Sequence, residues 1–352
     1  MERSTLFYVF LFILPLAGTV IITPFVAKFA LLKNIVDQPG LHKTHNKAKP
    51  LLGGLSIFLV FALILLIFLP MDEKLISLVL ATIVLVITGL IDDLYDLKPV
   101  FKVFGQTVSA SIVVLGNLNL YRFMVEYFEQ YFIPEFVVLV LIIGWIVLMV
   151  NAFNLIDGMD GLAAGVAAII FLAMATISII EGGNPNIVGV QLIGAGACLG
   201  FLVFNFNPAR IFMGDTGSML LGFILATTHL FTIKFPFSTQ LVLGSMFILA
   251  YPALDVSYTI YRRICNRCPI FKADKGHIHH VLLSLGYSVR KTVLIIYSVN
   301  FLFAAIAVVL LSIDLSTRVL LLLWLATIAF VILTFRKLIV ISNKNGLSYR
   351  EL

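Results

Sequence analysis

Eleven near-continuous apolar runs, each close to the length of a membrane span, govern what this chain can fold into. They fall at about 6–32, 51–70, 75–91, 100–118, 136–153, 162–180, 187–205, 217–233, 238–260, 292–312 and 316–335. A helix needs about 20 apolar residues to cross the bilayer core, and a barrel strand only about 9–11 in alternation. The runs are too long and too uniform for strands. The expectation is an all-α polytopic membrane protein of about eleven transmembrane helices. Composition agrees, with 61% hydrophobic and 12% charged residues over 352 positions, against about 25% charged in soluble domains. The longest polar insert, 261–291, leaves no room for a separate soluble domain, so 1–352 reads as a single integral membrane domain. The first run is too long for a signal-peptide core and no small-x-small site closes it, so it reads as a retained span. Cys198, Cys265 and Cys268 give no disulfide framework.

Lys and Arg orient the spans. All but five of the 24, the exceptions being Arg3, Lys74, Arg122, Lys234 and Arg318, fall on one side or in the C-terminal tail. The N-terminus is therefore expected outside and the C-terminus in the cytoplasm. The formal charge of +6 is a topology signal, and nucleic-acid binding is not needed to explain it. The outer connections are plain turns, while the chemically rich segments share the cytoplasmic side.

One of these segments is Asn151-Ala-Phe-Asn-Leu-Ile-Asp-Gly-Met-Asp-Gly161, between two apolar runs. At the cytoplasmic surface its carboxylates cost less than the roughly 2.5–3.5 kcal/mol of bilayer depth, so the case for a task rests on the other polar clusters that share this side. Asn154, Asp157 and Asp160 lie on neighbouring sides of a helix if one continues. Alternatively, Gly158 and Gly161 break it and release backbone amides for a ligand. Thr88-Gly-Leu-Ile-Asp-Asp-Leu-Tyr-Asp96 holds D-D-x-x-D, with Asp92 and Asp96 on one face if helical. Such acids suit a hard cation bridged to phosphates or a raised-pKa base; a helix cap beside Lys98 and Lys102 is the plainer alternative. Phe212-Met-Gly-Asp-Thr-Gly-Ser218 places Asp215 at the mouth of a span, where helix-start amides bind anions, a carboxylate binds a cation, or Asp215 caps the helix. The first cytoplasmic loop offers Lys43 and His45 before Pro50 and Gly53-Gly54, as an anion cradle or a contact for acidic headgroups. Asp274-Lys-Gly-His-Ile-His-His280 follows Cys265-x-x-Cys268. A zinc site of Cys and His is the weaker reading, since the surrounding Arg and Lys suit anions better.

In order, D-D-x-x-D, N-x-x-N-x-x-D-G-x-D-G, F-M-G-D-T-G-S and H-I-H-H resemble the polyprenyl-phosphate N-acetylhexosamine-1-phosphate transferases over nearly the whole chain. H-I-H-H is similar to the UDP-GlcNAc branch, the WecA- and TagO-type enzymes. The UDP-MurNAc-pentapeptide branch carries three adjacent histidines, and here Ile278 interrupts the run. The resemblance implies a multi-pass enzyme of the cytoplasmic membrane with its site facing the cytoplasm. It would transfer GlcNAc-1-phosphate from UDP-GlcNAc to undecaprenyl phosphate and release UMP. That is the initiating step of cell-envelope polysaccharides such as O-antigen or teichoic acid. The implied cofactor is Mg²⁺, with Mn²⁺ as a substitute, and the partners are the two substrates, membrane lipid and a second copy of the chain. Asp215 matches the aspartate that ligates the metal and Asn154 an asparagine near it. Asp92 and Asp93 match the essential pair, either being the candidate base. Asp160 and Phe212 match positions near the uracil. His277, His279 and His280, with Arg262 and Arg263, would hold the sugar or diphosphate, and Asp157 fits the same site.

Two other classes fit less well. A transporter would place its acids at the midplane within an inverted repeat, and neither feature is present. A CDP-alcohol phosphotransferase needs D-G-x-x-A-R, whereas Asp157-Gly158 is followed by Met-Asp-Gly-Leu-Ala.

Overall fold

The computed structural model describes residues 4–38, 48–233, 239–265, 277–313 and 316–344. In chain order the elements are α1 (Thr5–Leu32), β1 (Val36–Asp37), β2 (Lys49–Pro50), α2 (Gly53–Phe68), α3 (Glu73–Tyr95), α4 (Pro99–Leu115), α5 (Leu118–Glu129) and α6 (Glu135–Ile156). Then follow α7 (Leu162–Ile180), α8 (Pro185–Asn205), α9 (Gly214–Thr232) and α10 (Thr239–Met246). A 3₁₀ turn (Phe247–Leu249), α11 (Ala250–Cys265), α12 (Ile278–Ser284), α13 (Val289–Ser312) and α14 (Thr317–Lys344) complete the described chain. Each expected apolar run coincides with helix. The short helices α5 and α12 were not foreseen, nor was the extension of α14 to Lys344. Helix α5 escapes a hydropathy reading because polar residues interrupt it, and it turns 89° from α4.

The described residues hold seven helical segments long and apolar enough to cross a membrane, or eight with α4 and α5 taken as one bent span. Helix α2 and Arg318–Thr334 within α14 are shorter apolar helices. The chain is an all-α polytopic membrane protein. Its one strand pairing among the described residues is the antiparallel ladder of Val36 with Pro50 and Asp37 with Lys49.

The helix ends follow from local chemistry. Asp72 caps α3 by accepting from Leu75 N at 2.9 Å, and Ser4 caps α1 through Phe7 N. Proline opens α4 and α8, where its missing N–H costs nothing.

The chain forms two compact units, Met1–Phe237 and Ser238–Leu352. In the first, α9 is the central post, buried from Thr216 to Phe231. Helices α2, α3, α6, α7 and α8 all pack on it. Its start is held against the start of α2, where Gly53 N and Gly54 N donate to the carbonyls of Phe212 (2.9 Å) and Met213 (2.7 Å). A β-carbon on Gly54 would run into the Gly217 backbone, so only glycine permits this approach. In the second unit α13 packs on α10, α11, α12 and the 3₁₀ turn, and Trp324 Nε1 of α14 donates to the Leu243 carbonyl at 2.9 Å.

Gly54→Ala is expected to lower the thermal midpoint of the detergent-solubilised protein by several degrees, an overpacking cost of about 1–3 kcal/mol. Gly144→Ala, whose β-carbon would meet nothing within 4 Å, serves as the control. Equal midpoints for the two variants would show that the α2–α9 approach is not required.

Candidate active site

The residues singled out in the first unit gather where α3 and α6 end and where α4 and α9 begin. Helix α3 stops at Tyr95 and Asp96 takes a left-handed conformation (φ 51°). The expected shared face of Asp92 and Asp96 therefore does not form. Asp92 and Asp93 are still helical and point to different partners. Asp93 Oδ1 accepts from Asp215 N at 2.7 Å, and its Oδ2 accepts from Thr216 N at 3.1 Å and Thr216 Oγ1 at 2.6 Å. It caps α9 from another helix, because the residue at the capping position, Met213, supplies no side-chain bond. The cap considered for Asp215 is thus supplied by Asp93, whereas the cap considered beside Lys98 does not form, since α4 begins with no side-chain cap bond. The α9 amides, expected to be open to an anion, are filled by this carboxylate.

Asp92 is buried, accepts from Leu97 N at 2.8 Å through Oδ1 and pairs with Lys102 Nζ through Oδ2. The same ammonium lies 2.9 Å from Asp215 Oδ2. Asn154 Nδ2 donates to Asp215 Oδ1 at 2.8 Å and to Ser218 Oγ at 3.1 Å. Asp92, Lys102, Asp215 and Asn154 thus form one continuous array of alternating donors and acceptors drawn from α3, α4, α9 and α6.

Helix α6 ends at Ile156, so the glycine-broken alternative is the one that forms. Gly161 takes φ 81° but does not release its amide, which donates to Asn205 Oδ1 at 3.0 Å. Asn151 braces the scaffold instead of the site, donating to Gln106 Oε1 at 2.8 Å. Asp157 is half-buried at the end of α6 and accepts no side-chain hydrogen bond among the described residues. Burial, and then the charges of Asp215, Asp93 and Asp160, push its carboxyl well above the usual range.

Asp160 Oδ2 accepts from Asn207 Nδ2 and from Ala209 N, both at 2.9 Å. Lys49 Nζ lies 3.8 Å from Asp160 Oδ2 and 4.7 Å from the centre of the Phe212 ring. Asp160, Lys49 and Phe212 thus form a second cluster, of a carboxylate, an ammonium and an aromatic ring. The α2 amides suggested for an anion cradle are taken by the Phe212 and Met213 carbonyls, and Lys43 and His45 lie outside the described residues.

In the second unit, His277 leads into α12. Its ring stacks on His279 (5.8 Å, 7°), and His279 tilts against His280 (4.3 Å). Burial, and then His280, lower the His279 pKa to about 3, so His279 is neutral near pH 7 and offers hydrogen bonds in place of charge. Arg262 and Arg263 sit in the last turn of α11. The cysteine pair is not covered by the described side chains. Among the described residues no three Asp, Glu, His or Cys side chains assemble into a ready metal cage.

A model of glycosyl transferase family 4 matches residues 75–233. A Bacillus subtilis protein named a probable undecaprenyl-phosphate N-acetylglucosaminyl 1-phosphate transferase is 36% identical over 330 residues, covering 93% of this chain and 90% of the relative. The chain belongs to glycosyl transferase family 4. A Mycobacterium tuberculosis decaprenyl-phosphate N-acetylglucosaminephosphotransferase is 35% identical over 74% of this chain and 72% of its own. An Escherichia coli undecaprenyl-phosphate alpha-N-acetylglucosaminyl 1-phosphate transferase is 30% identical over 81% and 78%. The family match, 75–233, contains Asp92, Lys102, Asn154, Asp157, Asp160, Phe212 and Asp215, and leaves out Lys49.

Sequence reasoning missed Lys102 and Lys49 as site residues. Both had been counted as topology charges. The signal that would have set Lys102 apart is its place inside an otherwise apolar helix start, Pro99-Val-Phe-Lys-Val-Phe.

Asp157 gives a pH test. Its folded pKa is raised above the ordinary value of 3.8, so the neutral form is favoured on folding and the penalty appears as pH rises past the ordinary range. In chelator, Asp157→Asn is expected to melt a few degrees above wild type at about pH 7.5, with the gap closing toward about pH 4. A gap that stays constant across that range would show that Asp157 is not strained by its charge.

Proposed function

We propose that this chain transfers N-acetylglucosamine 1-phosphate from UDP-GlcNAc to undecaprenyl phosphate, releasing UMP. The observation that carries the reading is the Asp92–Lys102–Asp215–Asn154 array beside an unpaired Asp157, in a chain that aligns with 90% of a relative named for such a transfer. The reaction brings one phosphate onto another, so the site needs positive charge and alignment more than covalent chemistry. The array supplies oxygen donors but no complete protein cage, which suits Mg²⁺, or Mn²⁺ in its place, because such an ion keeps positions for water and substrate phosphates. Asp215 and Asn154 would hold it, and when bound it would neutralise charge on the diphosphate. Lys102 sits between two carboxylates on a flexible stem, and a phosphate oxygen is an equally good partner for its ammonium. Asp93 is spent on α9, which supports Asp92 as the member of the pair that takes a proton from the acceptor phosphate. The Phe212 ring offers a stacking face for the uracil, and Asp160 an acceptor for its N–H.

His277, His279 and His280, with Arg262 and Arg263, are assigned to the sugar or diphosphate by resemblance. We further assign eleven spans, an external N-terminus, a cytoplasmic C-terminus and a site facing the cytoplasm. Undecaprenyl-diphosphate-GlcNAc so made would begin a cell-envelope polysaccharide.

Purified protein supplied with Mg²⁺, undecaprenyl phosphate and UDP-GlcNAc is expected to release UMP faster than with UDP-GalNAc. Asp215→Asn should cut that release by about 100-fold or more, the scale for losing a group that stabilises transferring charge. Near-normal release from Asp215→Asn at saturating Mg²⁺ would remove Asp215 from this role, and no release from wild type would end the transferase reading.

A further inference from the structure

No motif marks Asp255, in the middle of α11, yet it is buried to 1% exposure. A buried carboxylate is tolerated only where its oxygens are satisfied. Asp255 Oδ1 accepts from Ile278 N at 3.0 Å, and Oδ2 lies 2.8 Å from His277 Nδ1. Thr259, one turn along, donates its hydroxyl to the Asp255 carbonyl at 2.9 Å. One side chain therefore does two things 22 residues away: it caps the first amide of α12 and it holds a histidine ring.

The second task has a chemical consequence. A carboxylate only accepts, so the proton on the contacting nitrogen must belong to His277 Nδ1. That leaves Nε2 facing away. The ring is 3% exposed, and Nε2 has no hydrogen-bond partner among the described residues. Leaving a buried polar atom unpaired is costly, and a ligand can recover that cost. The lone pair on Nε2 is then free to accept a hydrogen bond from a donor on a ligand.

We propose that Asp255 is a positioning residue, which through His277 Nδ1–H fixes the ring so that Nε2 keeps its lone pair and accepts a hydrogen bond from a hydroxyl or the acetamido N–H of the nucleoside-diphosphate sugar. The inference rests on the transferase reading above. Helix capping alone would need only Oδ1 and Ile278 N. The approach of Oδ2 to the ring is the additional feature.

Asp255→Asn separates the two tasks. Its amide oxygen can still cap Ile278 N, while its NH₂ faces Nδ1 and forces the His277 proton to Nε2. In the full-length protein in lipid nanodiscs, Asp255→Asn and His277→Gln should each lower kcat/KM for UDP-GlcNAc by about 10-fold or more, the scale of lost support behind a ligating histidine. The double variant should lose no more than either single change, and Asp255→Glu should recover part of the activity. With ¹⁵N-labelled histidine, the His277 signals, assigned by their loss in His277→Gln, should show Nδ1 protonated in wild type and Nε2 protonated in Asp255→Asn. Additive losses in the double variant, or an unchanged His277 tautomer in Asp255→Asn, would reduce Asp255 to a helix cap and overturn the proposal. If wild type releases no UMP, the transferase reading fails, and the ¹⁵N signals still decide whether Asp255 sets the His277 proton.

Discussion

A helix buried from its third residue onward needs partners within the protein for its first amides, and α9 is such a helix. Its opening N–H groups need an acceptor from within the protein, and Asp93 provides both carboxylate oxygens to Asp215 N, Thr216 N and Thr216 Oγ1. A negative charge at a helix N-terminus is also favoured by the helix dipole. The end of α3 is thereby fixed to the beginning of α9. Once Asp93 is committed, its neighbour Asp92, about 100° around the helix, must look elsewhere, and it looks to Lys102. Gly214, with φ 74°, permits the contact, since a β-carbon there would press on the Asp93 carboxylate.

The rest of the first unit's polar architecture is an arrangement of charge around that junction. Four carboxylates, Asp92, Asp93, Asp157 and Asp215, occupy a small volume beside apolar helices, where like charges repel strongly. Lys102 offsets two of them and the α9 amides a third. Asp157 is left with neighbours of its own sign. An arrangement that neutralises most of its acids and leaves one unpaired suits a site that waits for a further cation and for phosphates. Lys49 plays a similar part beside Asp160, where the Phe212 ring adds an aromatic face.

The second unit shows the same economy with one carboxylate. Asp255 serves a backbone amide and a histidine together, so the start of α12 and the setting of the His277 ring are coupled. His279, held neutral by its burial, lies stacked against it.

Much of the architecture was legible along the chain because membrane helices must satisfy their own backbone within one apolar stretch. Eleven runs marked helix, and glycine, proline and the acids marked where helices end. Helix α5 was hidden by its mixed composition, and α12 by its seven residues. The candidate acids were also visible, because an aspartate next to an apolar run stands out. Their division of labour was not. Which of Asp92 and Asp93 caps a helix, and that Lys102 joins Asp92 to Asp215, depends on residues 113 and 122 positions apart meeting in space. Asp255 lies inside an apolar run with no motif around it, and only its contact with His277 in space sets it apart. By itself the sequence determined what must be buried, which stretches are helical and which side chains are too costly to be idle, since those follow from local apolarity. Only the tertiary structure decided which of those side chains face one another, because hydrogen bonds and ion pairs act over about 3 Å and no spacing along the chain reports that distance.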